Sequence, residues 1–246
     1  MKKYLLSAIG IIAIAAVITA SCRVNSLRGE GNKIHVTPDV SAFNALDIDV
    51  PVRATITVQE GAKPSITLSG YENLVKHIKT RVSSNTLHVY TDYHGSWSIE
   101  KGDMVAEITV PSLTMLTMAG APNAEVHGNI TGNSLKVDMS GAGRVTLDNV
   151  NVDNFSTDVS GAAVIDVTAG TVKKAQYEVS GAGVIHAYGL QTQTTVAAIS
   201  GAGKGEVNAS QKLAANVSGA AVVRYKGHHA DITRDVSGVG KVADAN

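Results

Sequence analysis

Cysteine, aromatic residues and net charge are all scarce in this chain, and each scarcity removes a class of protein. A single cysteine in 246 residues leaves no internal disulfide framework and no Cys-rich metal site. Aromatic residues make up only 4% of the chain, whereas there are 24 glycines. A sandwich or barrel of this length normally fills its core with more aromatic bulk, so small β-branched residues and regular glycine point to thin, stacked layers. Lys and Arg number 21, balanced by 21 Asp and Glu, so no basic field argues for nucleic acid or an anionic surface. The length suits one large all-β domain or two smaller ones.

Long apolar runs are confined to the N-terminus. Lys2 and Lys3 precede an almost unbroken apolar stretch from Leu5 to Ile18, which ends at Thr19-Ala20-Ser21-Cys22. This has the layout of a signal peptide, with residues 1–22 forming a lipoprotein signal and Cys22 the lipidation site and membrane anchor. Thr19 stands where a lipobox usually has Leu, so ordinary signal-peptidase cleavage stays open, as does an uncleaved signal anchor. All three routes export the rest of the chain. Residues 23–32 are polar, contain Gly29 and Gly31, and read as a tether.

The dominant feature is a repeat. Ser140-Gly141-Ala142-Gly143 recurs with its serine at Ser160, Ser180, Ser200, Ser218 and Ser237, at spacings of 20, 20, 20, 18 and 19 residues. Ala119-Gly120-Ala121 is a degenerate first copy. Apolar residues alternate around each tetrad, as in Leu135, Val137 and Met139 before the first and Val145 and Leu147 after it, which is a strand period. Each unit is expected to be a strand, a tight glycine turn and a second strand, followed by a variable polar corner. A unit with one apolar face can bury it only by stacking on its neighbours, with strands about 4.8 Å apart. Equivalent corners then stack too, and glycine avoids the collision of side chains there. The fold class is all-β, a parallel β-helix or solenoid of ~20-residue repeats over 113–246.

Residues 33–112 are less regular. Leu46, Ile48 and Val50 alternate, as do Ile56 and Val58, Ile66 and Leu68, and Leu87 and Val89. Leu74, Val75 and Ile78 allow one or two helical turns, and Pro51, Pro64 and Pro111 mark strand boundaries. This half is expected to form broader turns of the same solenoid, with a separate small β-domain as the second reading.

Several segments together resemble the auto-transporter adhesin "head GIN" domain family of Bacteroidetes lipoproteins. They are Gly29-Glu30-Gly31-Asn32, Phe43-Asn44-Ala45-Leu46-Asp47-Ile48, Glu72-Asn73-Leu74 with Ile78, and Pro111-Ser112-Leu113 leading into the repeats. The resemblance covers about residues 29–246 and implies a right-handed parallel β-helix. Ala119-Gly120-Ala121-Pro122 departs from the family's first Ser-Gly-x-Gly corner, and no translocating barrel follows the last repeat.

Standard catalytic motifs are missing. The tetrad serines lack the glycine two residues earlier that a nucleophile elbow needs, and no helix follows the glycines to make a dinucleotide site. The serines are expected to form a stacked row of hydroxyls bonding local backbone. Two outward rows are candidates for surface chemistry. Asp138, Asp158 and Glu178 lie two residues before successive serines and would stack as a carboxylate ladder, which favours bound cations or raised pKa values. Asp166, His186 and Glu206 lie six residues after, followed by Arg224, and could form a metal site or an acid–base pair. For each row the alternative is an ordinary solvated face. His228-His229 lies in a corner loop. Tyr90, Tyr93 and Trp97, near His88 and His94, either stack on sugar rings or cap the apolar core.

The expected function is a non-enzymatic cell-envelope lipoprotein whose β-helix surface serves adhesion or scaffolding. No catalytic residue, metal or cofactor is assigned. Two alternatives stand beside it, a glycan-binding or polysaccharide-degrading envelope protein and a self-associating structural protein. Expected partners are the membrane, through the lipid anchor, a glycan or protein ligand, and further copies of the chain, but not nucleic acid. The expected location is the outer membrane, facing the periplasm or the cell surface.

Overall fold

The structure, a computed structural model, describes residues 26–100, 103–227 and 231–246. Cys22, the signal segment and His228-His229 lie outside the described residues. Within the segment read as a tether, Ser26–Arg28 forms strand β1, which pairs with β8 (Ser96–Ser98). The first half continues with β2 (Lys33–Val36), β3 (Ala45–Ile48), β4 (Arg53–Val58) and β5 (Ser65–Tyr71). A single helical turn follows, α1 (Glu72–Val75), which buries Leu74 and Val75. Then come β6 (Ile78–Ser83), β7 (Thr86–Thr91), β8, β9 (Met104–Val110) and β10 (Met115–Gly120). Strict alternation of buried and half-exposed residues in β4 and β5 explains why these segments are strands: one side faces the core.

The repeat region contains β11 (Asn123–Gly141), β12 (Arg144–Gly161), β13 (Val164–Gly181), β14 (Val184–His186), β15 (Leu190–Gly201), β16 (Lys204–Gly219), β17 (Val222–Lys226), β18 (Asp231–Gly238) and β19 (Lys241–Asp244). The two-strand unit expected for each repeat is met where β14 and β15 are separate strands, but is revised in β11, β12, β13 and β16, which run on through the polar corner. β11, β12 and β13 run 18 or 19 residues from one Gly-Ala corner to the next. The polar corner between them is a bend that keeps its ladder, as in Asn149↔Ala169 and Asn151↔Thr171. Sequence alternation cannot reveal this, because backbone pairing between rungs continues through a bend at which the inward–outward alternation of side chains is interrupted.

Parallel pairing runs along the stack in three ladders. One joins β7, β3 and β10 to the ends of β11, β12, β13, β15, β16 and β18 that approach the glycine corner. A second, just past the corner, joins β9 and β4 to the starts of β11, β12 and β13 and then to β14, β16, β17 and β19. The third follows the polar corner from β11 through β12, β13 and β15 to β16. The result is a β-solenoid of about six turns. The N-terminal half belongs to the same stack through β3, β4, β9 and β10, and adds antiparallel pairs β2–β5, β5–β9 and β6–β7 beyond it.

Inward residues form columns along the axis. One runs Leu87, Leu46, Leu116, Val137, Thr157, Tyr177, Ala197 and Ala215 to Arg234. Each fully buried aliphatic side chain contributes about 1.5–3 kcal/mol, so stacked rungs supply the core that no single rung has. The corners form a column of their own. Ala162 N–H donates to Gly141 O and Ala182 N–H to Gly161 O, both at 2.8 Å. Gly161 has φ 118°, and a Cβ there would lie 2.4 Å from Gly141 O.

Candidate functional site

Both outward rows read from the sequence are in register. Asp138 pairs with Asp158, and Asp158 with Glu178. The column continues through Ala198 and Asn216 to Asp235. Partners come from the outward column two residues earlier. Lys136 Nζ donates to Asp138 Oδ2 at 2.6 Å, and Gln176 Nε2 donates to Glu178 Oε1 at 2.6 Å. Hydrogen bonding to Asp138 raises the Lys136 pKa; burial opposes this, and the charges of Asp138, Asp158 and Glu178 add to it. Toward the C-terminal end, the row borders an open cavity of about 520 Å³ lined by Asp158, Glu178, Asn216, Asp235 and serines of the corner row. Those serines are mostly exposed. Ser200 Oγ donates to Val179 O at a long 3.4 Å, so the row of hydroxyls faces solvent more than the sequence reading expects.

The second row is also stacked, Asp166↔His186↔Glu206↔Arg224. Its charges pair along the face instead of converging. Arg144 binds Asp166. Glu206 accepts from His186 Nδ1 at 2.6 Å and from Lys204 Nζ at 2.5 Å, with its side chain only 14% exposed. Burial pushes the Glu206 carboxyl up, but the hydrogen bonds to Lys204 and His186 together outweigh it and hold the pKa below the ordinary value. Among the described residues, no three His, Cys, Asp or Glu side chains gather as a metal-ion group.

Two further constellations stand apart from the outward rows: one escapes sequence reasoning because Asp47 is far in the chain from Ser83 and His88, and the other extends the aromatic cluster read from the sequence. Ser83 Oγ lies 3.0 Å from His88 Nε2, and His88 Nδ1 lies 2.9 Å from Asp47 Oδ2. The order is that of a nucleophile, base and orienting acid. However, the adjacent cavity of about 270 Å³ is lined by Asp47, Asp49, Arg81, His88, Val89 and Tyr90, without Ser83. What the contacts do is fasten the β6–β7 hairpin to β3.

The other constellation centres on Trp97. Its ring meets Tyr93 edge-on, centroids 5.5 Å apart, and Tyr93 lies 5.3 Å from the His77 ring. Tyr90 is not part of this stack; it lines the Asp47–His88 cavity. Trp97 is half-buried against the core and also walls two adjoining cavities, of about 450 and 270 Å³. Capping the core and presenting an aromatic wall are thus both observed.

This architecture has relatives. The model of a family described as "Putative auto-transporter adhesin, head GIN domain" matches residues 42–228. The chain belongs to the head GIN domain family. A crystal structure of a putative adhesin from Bacteroides fragilis has a TM-score of 0.80 at 23% identity, covering 89% of this chain and 100% of that one. A putative lipid binding protein from Parabacteroides distasonis has a TM-score of 0.71 at 21% identity, covering 90% and 100%. A putative adhesin from the same species also has a TM-score of 0.71, at 20% identity, covering 90% and 100%. No curated protein matches the chain. At these identities the neighbours establish the head GIN fold, and membership of the family supports an adhesin-like role at or outside the cell surface.

Proposed function

We propose that this head GIN protein is a non-enzymatic envelope adhesin, tethered to the outer membrane through a lipid on Cys22, that presents the solenoid wall to its partner. The observation that carries the reading is how the outward charges are arranged. Arg144 with Asp166, Lys204 and His186 with Glu206, and Lys136 with Asp138 are paired along the wall. A hydrolytic centre instead needs acid, base and substrate space to converge. Such a wall offers extended contact with little local chemistry.

The test uses cells producing the full chain. Wild-type cells are expected to incorporate labelled palmitate into the protein and to adhere to immobilised mucin. Cys22→Ser is expected to lose both the label and adherence while the secreted protein stays folded. Adherence equal to that of cells lacking the protein would sink the adhesin reading. Labelling of Ser83 by a fluorophosphonate would sink the non-enzymatic part, because it would show an activated serine.

A further inference from the structure

Among the described residues the corner column has one gap, and Trp97 helps line it. Along the repeats, a Cβ on Gly141, Gly161, Gly181 or Gly201 would strike the carbonyl oxygen of the corner glycine one rung below. Gly120 is different: a Cβ there would meet nothing within 4 Å. The rung beneath it turns through Asp49-Val50-Pro51 and has no Gly-Ala corner to fill that space. In register, Ala119 stands where the next rung has Ser140. Ala119, Gly120 and Ala121 line the 270 Å³ cavity with Trp97, while Ala121, Asn123 and Trp97 line the 450 Å³ cavity. Pro51 also lines both. The degenerate first repeat is therefore the floor of a two-chambered groove walled by the only tryptophan in the chain.

We propose that this groove binds an uncharged oligosaccharide, one pyranose ring stacking on Trp97 over the Ala119–Ala121 floor and a second extending toward Asn123. The proposal rests on the adhesin reading and supplies its ligand class. An aromatic ring against a small-residue floor receives the apolar C–H face of a sugar, and a polar rim takes its hydroxyls. The rim here has Asp49 and Glu100 as acceptors and the exposed Asn123 amide. Among the described residues its cation is Arg53, which is engaged by Glu125 at 3.0 Å. Two carboxylates beside one committed guanidinium repel uronic and sialic acids, which selects neutral sugars.

With one tryptophan, fluorescence reports this groove alone. The full chain is titrated with cellotriose and N,N′,N″-triacetylchitotriose, with sialyllactose as the acidic control. A saturable change in Trp97 emission is expected for at least one neutral trisaccharide, and none for sialyllactose. Asn123→Ala changes an exposed rim residue without touching the core, and is expected to weaken binding about threefold to tenfold (a ΔΔG of about 0.7–1.4 kcal/mol). Trp97→Ala is expected to abolish ligand-observed saturation-transfer signals. No saturable change with either neutral sugar, or undiminished saturation transfer in Trp97→Ala, would overturn the proposal. Mucin adherence by cells carrying Trp97→Ala separates the two readings. If it persists while the sugar titrations fail, the groove is wrong and the adhesin reading stands. If the sugars bind but wild-type cells never adhere, the reverse holds.

Discussion

At the scale of single residues, the corner glycines and two buried hydroxyls set the terms of stability. Gly161 holds φ 118° with Gly141 O directly beneath it. Gly161→Ala adds left-handed strain, about 1–3 kcal/mol, to a clash that only backbone movement relieves. A drop in urea-unfolding free energy at or above that range is expected, whereas Ser160→Ala, on the exposed row, should leave it nearly unchanged. Tyr177 presents the opposite case. Its ring packs edge-on against Phe155, centroids 6.0 Å apart, and its hydroxyl is buried without a protein hydrogen-bond partner, as is Thr157 Oγ1 on the adjacent rung. Burial pushes the Tyr177 pKa well above the ordinary phenol value. Tyr177→Phe removes the unpaired group and keeps the ring, so a gain of about 1 kcal/mol is expected in the same denaturation assay.

At the scale of elements, the ladder past the corner depends on its central acid. Glu206, on β16, ties Lys204 on its own strand to His186 on β14. Its folded pKa lies below the ordinary carboxylate value. The stabilisation is therefore complete above that ordinary value and is lost as pH falls through the lowered one. Glu206→Gln should cost about 1–3 kcal/mol near neutral pH, and should also flatten the acid limb of a stability-versus-pH curve. An unchanged acid limb would show that the ladder's charges are screened and idle. The β6–β7 hairpin is held in a related way, through Ser83, His88 and Asp47, which ties it to the first rung of the parallel stack.

At the scale of the whole molecule, the two ends of the solenoid differ. The N-terminal end runs into the antiparallel pairs β6–β7 and β2–β5–β9, which cover the stack. At the other end, among the described residues, β18 pairs only with β16 and β19 only with β17. There the inward column reaches Arg234, whose guanidinium lies over the Tyr225 ring and donates to its hydroxyl. A charge at a core position on an open edge blocks another apolar rung from adding. Arg234→Leu should leave the fold intact and raise the mean mass in light scattering with increasing concentration. A concentration-independent monomer would show that this edge needs no such guard.

What the sequence by itself determined is the stack. The Ser-Gly-Ala spacing set the register, so Asp138, Asp158 and Glu178, and likewise Asp166, His186 and Glu206, fell into line as the repeat required. Repeat period is a local property, and parallel stacking converts it directly into neighbours. The tertiary structure alone decided which of those neighbours are already paired, that Ser83 meets His88 and Asp47, and that Trp97 walls the gap beneath Gly120. Those contacts join segments whose separation in the chain carries no period. The degenerate Ala119-Gly120-Ala121 copy stood out in the sequence as a departure, but its meaning depends on a tryptophan brought to it by β8, from outside the repeat.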